Sequence, residues 1–96
     1  MAIYVTSDAH GHVRALDEAL SKISLASDDT LYVLGDMIDR GPDPVGVIKL
    51  VRSLPNARVL KGNHEQIMLD AIIGQDPLDA ETWDINGGWT TRQQLN

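Results

Sequence analysis

Three short apolar runs rich in β-branched residues, Ala2–Thr6, Thr30–Leu34 and Ala57–Leu60, each give way within a few residues to Gly, Asp or Asn. Such runs suit a pleated, buried surface, and the residues that follow them suit turns, so they predict three strands. Between the first two, Val13, Leu16, Leu20 and Ile23 recur at steps of three and four and form one apolar stripe on a helix. After the second, Asp43-Pro44 offers an N-cap followed by proline at the first helical position, Val45, Ile48 and Val51 supply the buried face, and Ser53–Asn56 ends the helix. A third helix is predicted to open near Glu65 and run through Ile67, Met68, Ala71 and Ile72, with Gly74 as its left-handed terminator. Beyond it, Gln75-Asp76-Pro77 predicts a turn, Asp79 a cap for a short helix containing Trp83, and Asn86-Gly87-Gly88 a break before Trp89–Leu95. Strands that alternate with helices pair in parallel through right-handed crossovers, because a hairpin cannot join parallel neighbours. The predicted class is therefore α/β, a parallel βαβαβ sheet flanked by helices.

Composition narrows the chemistry. The 96 residues suit one small domain, and the absence of cysteine leaves only oxygen and imidazole nitrogen as metal ligands. Eight Lys and Arg against fourteen Asp and Glu give a net charge of -6, which argues against a nucleic-acid partner. No apolar run approaches the roughly 20 residues of a membrane span, and Met1–Val5 lacks a basic secretory n-region, so the expectation is a cytoplasmic protein with no membrane partner.

In an open parallel sheet, ligands gather beyond the carboxyl ends of the strands. The residues there are Asp8 and His10, then Asp36, Asp39 and Arg40, then Asn63 and His64. Asp8 and Asp36 lie 28 residues apart, and Asp36 and Asn63 lie 27 apart, each close to one βαβ unit. Neighbouring strands would bring the three tips to a common point. Asp8 and His10 would then ligate, Asp36 could bridge two ions with its two oxygens, and Asn63 could ligate through its amide oxygen. That donor set suits Mn, Fe or Zn better than Ca. Arg40 offers a planar fork for phosphate oxygens, and His64, with its ring held by Asp39, offers a proton to a departing oxygen. Paired ions serve phosphoryl transfer.

Ser7-Asp8-Ala9-His10-Gly11, Gly35-Asp36-Met37-Ile38-Asp39-Arg40-Gly41 and Gly62-Asn63-His64-Glu65 together resemble the first three signatures of the calcineurin-like metallophosphoesterases. Asp39-Arg40-Gly41 and Glu65 favour the branch of serine/threonine phosphoprotein phosphatases. Trp83, Asn86-Gly87-Gly88 and Thr90 or Thr91 are similar to a segment of its small bacterial and phage members, which include symmetrical diadenosine tetraphosphate hydrolases. The resemblance implies two divalent ions, with Mn favoured over Fe or Zn. Asp8 and His10 would hold one, Asp36 would bridge, and Asn63 would hold the second while also facing substrate. It further implies His64 with Asp39 as the acid pair, Arg40 as the phosphate clamp, and a metal-bridging hydroxide that attacks phosphorus with no phosphoenzyme. Ser7 stands where Gly is commonest and Lys61 where many members carry Arg.

The family completes its second metal shell with two histidines from later segments, whereas the one further histidine here is His12, beside the first motif. The expectation is that residues 1–96 form the N-terminal part of a phosphoesterase domain, with an incomplete second metal site and little or no activity alone. The expected substrate of the complete enzyme is a phosphorylated protein or another small phosphoester, with diadenosine tetraphosphate as the alternative. An alternative of another class is a non-catalytic module whose open sheet forms a homo-oligomer. A receiver-like or nucleotide-binding domain is disfavoured by the lack of a glycine-rich phosphate loop. His12 is expected at a helix start, Glu65 at a helix start or in support of the ligands, and Trp83 and Trp89 as packing anchors.

Overall fold

The computed structural model describes residues 1–74 and 76–95. Its elements run β1 (Ile3–Thr6), α1 (Val13–Ile23), β2 (Thr30–Val33), α2 (Pro44–Arg52), β3 (Ala57–Val59), α3 (Asn63–Ile73), α4 (Pro77–Ile85) and α5 (Trp89–Leu95). The three strands form one parallel sheet in the order β1-β2-β3.

Register sorts the strand residues into two faces. Tyr4 aligns with Leu31 and Ala57, and Thr6 with Val33 and Val59. On this face Leu31 and Val33 pack into a core with Leu16 of α1 and Val47 and Val51 of α2, joined by Met37 and Ile38 from the loop after β2. Two right-handed crossovers stepping in the same direction put both helices on one side of a sheet. The opposite face accordingly leaves Ile3, Val5 and Tyr32 exposed, so the expected flanking by helices is one-sided.

Local signals explain the starts of α2, α3 and α4. Asp43 caps α2 by accepting from Gly46 N–H at 2.9 Å, with Pro44 at the first position. At α3 the expectation shifts, for the helix begins at Asn63, and Glu65 reaches back to accept from Gly62 N–H at 2.8 Å. Gly74 ends α3 in an extended conformation (φ -69°, ψ 158°) rather than the left-handed one, while its N–H still bonds Asp70 O. Asp76 rather than Asp79 caps α4, accepting from Leu78 N–H at 3.0 Å, because Pro77 fixes the first helical residue directly after it. Of the predicted Gln75-Asp76-Pro77 turn, Gln75 lies outside the described residues. Trp83 is buried as expected, but Trp89 is 52% exposed and does not anchor the core. No helix among the described residues is long and apolar enough to cross a membrane.

Candidate metal centre

The loops after β1 and β2 are zipped together past the strands. Asp8 N–H donates to Gly35 O at 3.3 Å, His10 N–H to Asp36 O at 3.0 Å and Gly11 N–H to Met37 O at 2.9 Å. The ladder therefore continues into the turns and carries their side chains toward one another. Ligand atoms of Asp8, His10 and Asp36 all lie within 4.8 Å of each other.

The backbone at this edge is unusual. Six non-glycine residues have positive φ among those described, and five of them are site candidates: Asp8 (57°), His10 (41°), Asp36 (52°), Asp39 (71°) and Arg40 (68°). The sixth, Ser24 (50°), ends α1. Left-handed backbone at residues with a Cβ costs of order 1–3 kcal/mol each and persists where the surroundings over-determine it. Gly35 (φ 88°) lets the second turn lie against the third, since a Cβ there would run into the Gly62 backbone.

Glu65 organises that second turn from α3. One carboxylate oxygen accepts from Asp36 N–H at 2.6 Å and the other from Met37 N–H at 2.9 Å, while His64 N–H donates to Asp36 Oδ1 at 2.8 Å. The Asp36 carboxylate is thus held at the N-terminus of α3. The signal for Glu65 was its position three residues after Gly62, a capping spacing.

The donor set fits a divalent cation. His10 Nδ1 lies 2.8 Å from Ile38 O, and a carbonyl can only accept, so Nδ1 carries the proton and Nε2 offers a lone pair. That Nε2 faces Asp8 Oδ1 at 3.5 Å. The Ser7 hydroxyl, donating to Asp8 Oδ2 at 2.8 Å, holds the Asp8 carboxyl below its ordinary 3.8, aided by His10 and Asp36 and opposed by partial desolvation. Asp8 is therefore ionised and ready to ligate well below neutral pH.

A second group touches the first. His64 Nδ1 lies 2.7 Å from Asp39 Oδ2, and the His64 ring meets the His10 ring edge-on with centroids 4.6 Å apart. Asp39 is fully buried, and its Oδ1 accepts from Trp83 Nε1 at 3.0 Å and Thr91 Oγ1 at 2.7 Å. The family resemblance includes Trp83 and Thr90 or Thr91, but no local pattern ties them to Asp39, which lies 44 residues from Trp83 and 52 from Thr91. Arg40 and Asn63 stand exposed on the rim, Arg40 with its Nε 3.4 Å from Asn86 O and Asn63 at the first position of α3. The structure therefore joins Asp8, His10 and Asp36 in one group and His64 and Asp39 in another. His12 precedes α1 as expected and is exposed.

The chain is 39% identical to a symmetrical bis(5'-nucleosyl)-tetraphosphatase of Proteus mirabilis over 72% of its own length and 26% of that protein's. It is 38% identical to serine/threonine-protein phosphatase 1 of Salmonella typhimurium over 94% of its length and 41% of the relative's. A crystal structure of a protein assigned as a diadenosine tetraphosphatase superposes with a TM-score of 0.57 at 32% identity, covering 84% of this chain and 40% of that one. The chain thus spans between about a quarter and two fifths of the length of these relatives. The profile of the family described as calcineurin-like phosphoesterase matches residues 1–94, and the chain belongs to that family.

Proposed function

We propose that this chain is the N-terminal, metal-holding part of a phosphoester hydrolase whose first substrate class is phosphoserine or phosphothreonine in proteins. The observation that carries the reading is the Asp8–His10–Asp36 group, mounted on left-handed turns, with the His64–Asp39 pair against it. Asp8, His10 and Asp36 would hold the first divalent ion, with Asp36 and Asn63 directed to a second, and Mn is the favoured metal. A bound divalent ion supplies Lewis acidity toward a phosphoryl oxygen. The chain's own residues do the rest. Arg40 presents a planar donor fork at the rim for phosphate oxygens. With its Nδ1 proton committed to Asp39, His64 would carry a second proton on Nε2 in its imidazolium form and pass that one to the departing oxygen, returning to the neutral ring.

The phosphoprotein reading is supported by the Salmonella relative, which aligns over 94% of the chain. A second reading, cleavage of a dinucleoside tetraphosphate at the same site, is supported by the Proteus relative and the structural neighbour. Calorimetric titration with Mn²⁺ tests the shared core of both, and binding that is unchanged in Asp36→Asn would sink it. In the longer protein to which this chain is proposed to belong, turnover that Asp36→Asn abolishes then reports the substrate. The phosphoprotein reading requires a phosphopeptide to be cleaved faster than diadenosine tetraphosphate, and the reverse order replaces it with the second. Turnover by this chain alone is expected to be slow or absent, since it carries none of the later histidines that complete the second metal shell in the family resemblance.

A further inference from the structure

We propose that Trp83 and Thr91 are positioning residues, which fill one oxygen of the buried Asp39 carboxylate so that its other oxygen holds the His64 ring in a single orientation and tautomer. The functional meaning of this inference rests on the hydrolase reading above, while the hydrogen-bond arrangement does not.

Asp39 is fully buried, and three protein donors meet its carboxylate. Oδ1 takes Trp83 Nε1 and Thr91 Oγ1, and Oδ2 takes His64 Nδ1. A carboxylate only accepts, so the His64 proton on that side resides on Nδ1 and Nε2 is turned away from Asp39. The Thr91 hydroxyl does more than donate. It also accepts Asp39 N–H at 2.9 Å, and because a backbone N–H can only donate, the hydroxyl's one proton is directed to Oδ1. Thr91 thereby closes a ring over the backbone and side chain of one residue, Asp39, whose φ is 71°.

The turn between α4 and α5 grips the next residue as well. Gly87 O accepts Arg40 N–H at 2.9 Å, and Gly87 has φ 88° where an added Cβ would meet Arg40 Cγ at 2.7 Å. The segment from Trp83 to Thr91 therefore clasps the left-handed Asp39–Arg40 pair from outside the sheet. A packing role alone asks only for apolar volume at these places. Yet Thr91 is 1% exposed, where valine fills the same space without a hydroxyl, and the indole N–H of the equally buried Trp83 is spent on the same oxygen.

The test uses ¹⁵N spectra of the His64 imidazole in the metal-free chain, followed to the high-pH plateau at which the two nitrogen shifts stop changing, with the signals assigned by their loss in His64→Gln. We expect the unsubstituted chain and Thr91→Ser to show one tautomer, protonated at Nδ1, with a slowly exchanging proton. In Thr91→Val and Trp83→Phe the two nitrogen shifts should move toward each other and the slowly exchanging proton signal should be lost. Unchanged His64 shifts in a folded Thr91→Val or Trp83→Phe overturn the proposal, as does a Thr91→Ser spectrum that matches Thr91→Val. Should Thr91→Val fail to fold, Trp83→Phe and Thr91→Ser decide. The two readings fail separately, because loss of the hydrolase reading appears as absent Mn²⁺ binding and leaves the ring spectra standing.

Discussion

Two buried aspartates sit at opposite edges of the sheet and do different things. At the amino edge, Asp29 accepts from Ala2 N–H and Ala26 N–H, each at 2.8 Å, and Asn56 Nδ2 donates to the carbonyls of Ala26 and Asp29 at 2.9 and 2.7 Å. These bonds tie the starts of β1, β2 and β3 together through backbone groups. At the carboxyl edge, Asp39 is satisfied by the side chains of Trp83, Thr91 and His64, and it occupies a left-handed conformation that Asp29 does not share. The first carboxylate holds backbone in place. The second bonds an imidazole, His64, whose ring meets that of His10, a candidate metal ligand. Burial and satisfaction are common to both, so strain and the identity of the partners separate a site carboxylate from a structural one.

The effect that tests the contrast most directly is on metal affinity. Asp36→Asn preserves the Oδ1 acceptor for His64 N–H but removes the charge, so Mn²⁺ affinity should fall at least about 100-fold with the unfolding midpoint little changed, read by calorimetry and urea titration. Next, Asp39→Ala strands three buried donors, and chemical denaturation should show a loss of about 3–5 kcal/mol. Asp29→Ala should lower the urea midpoint as well, yet leave Mn²⁺ binding per folded molecule intact. An equal loss of binding there would erase the distinction between the two edges. The smallest effect is on acid stability. Backbone N–H groups of Ala26 and then Ala2 hold the Asp29 carboxyl below its ordinary 3.8, and the Gln94 amide and then Gly46 N–H do the same for Asp43. Folded values below unfolded ones contribute stability that is full above 3.8 and is lost as pH falls through the folded values. Urea midpoints should therefore decline on acidification below that point, and Asp29→Asn should flatten the decline.

Much of the architecture was legible because its causes are local. The stripe at Val13, Leu16, Leu20 and Ile23 became α1, and Asp43-Pro44 became the start of α2 through its own capping bond. Glu65 is expected at a helix start or in support of the ligands and does both, but its particular partners, Asp36 N–H and Met37 N–H, follow only from the approach of α3 to the second loop. Gly74 is extended where a left-handed terminator is expected, and at α4 the following Pro77 makes Asp76 the cap in place of Asp79.

The sequence by itself determined the strand–helix alternation and the placing of Asp8, His10, Asp36, Asp39, Arg40, Asn63 and His64 just past strand ends, since periodicity and turn chemistry act over a few residues. Only the tertiary structure decided that Asp8, His10 and Asp36 bring their candidate ligand atoms together on left-handed turns, and that Trp83 and Thr91 hold Asp39. Hydrogen bonds across 44 and 52 residues leave no periodic trace along the chain. They exist because packing α4 and α5 against the loops buries a carboxylate that must then find its donors.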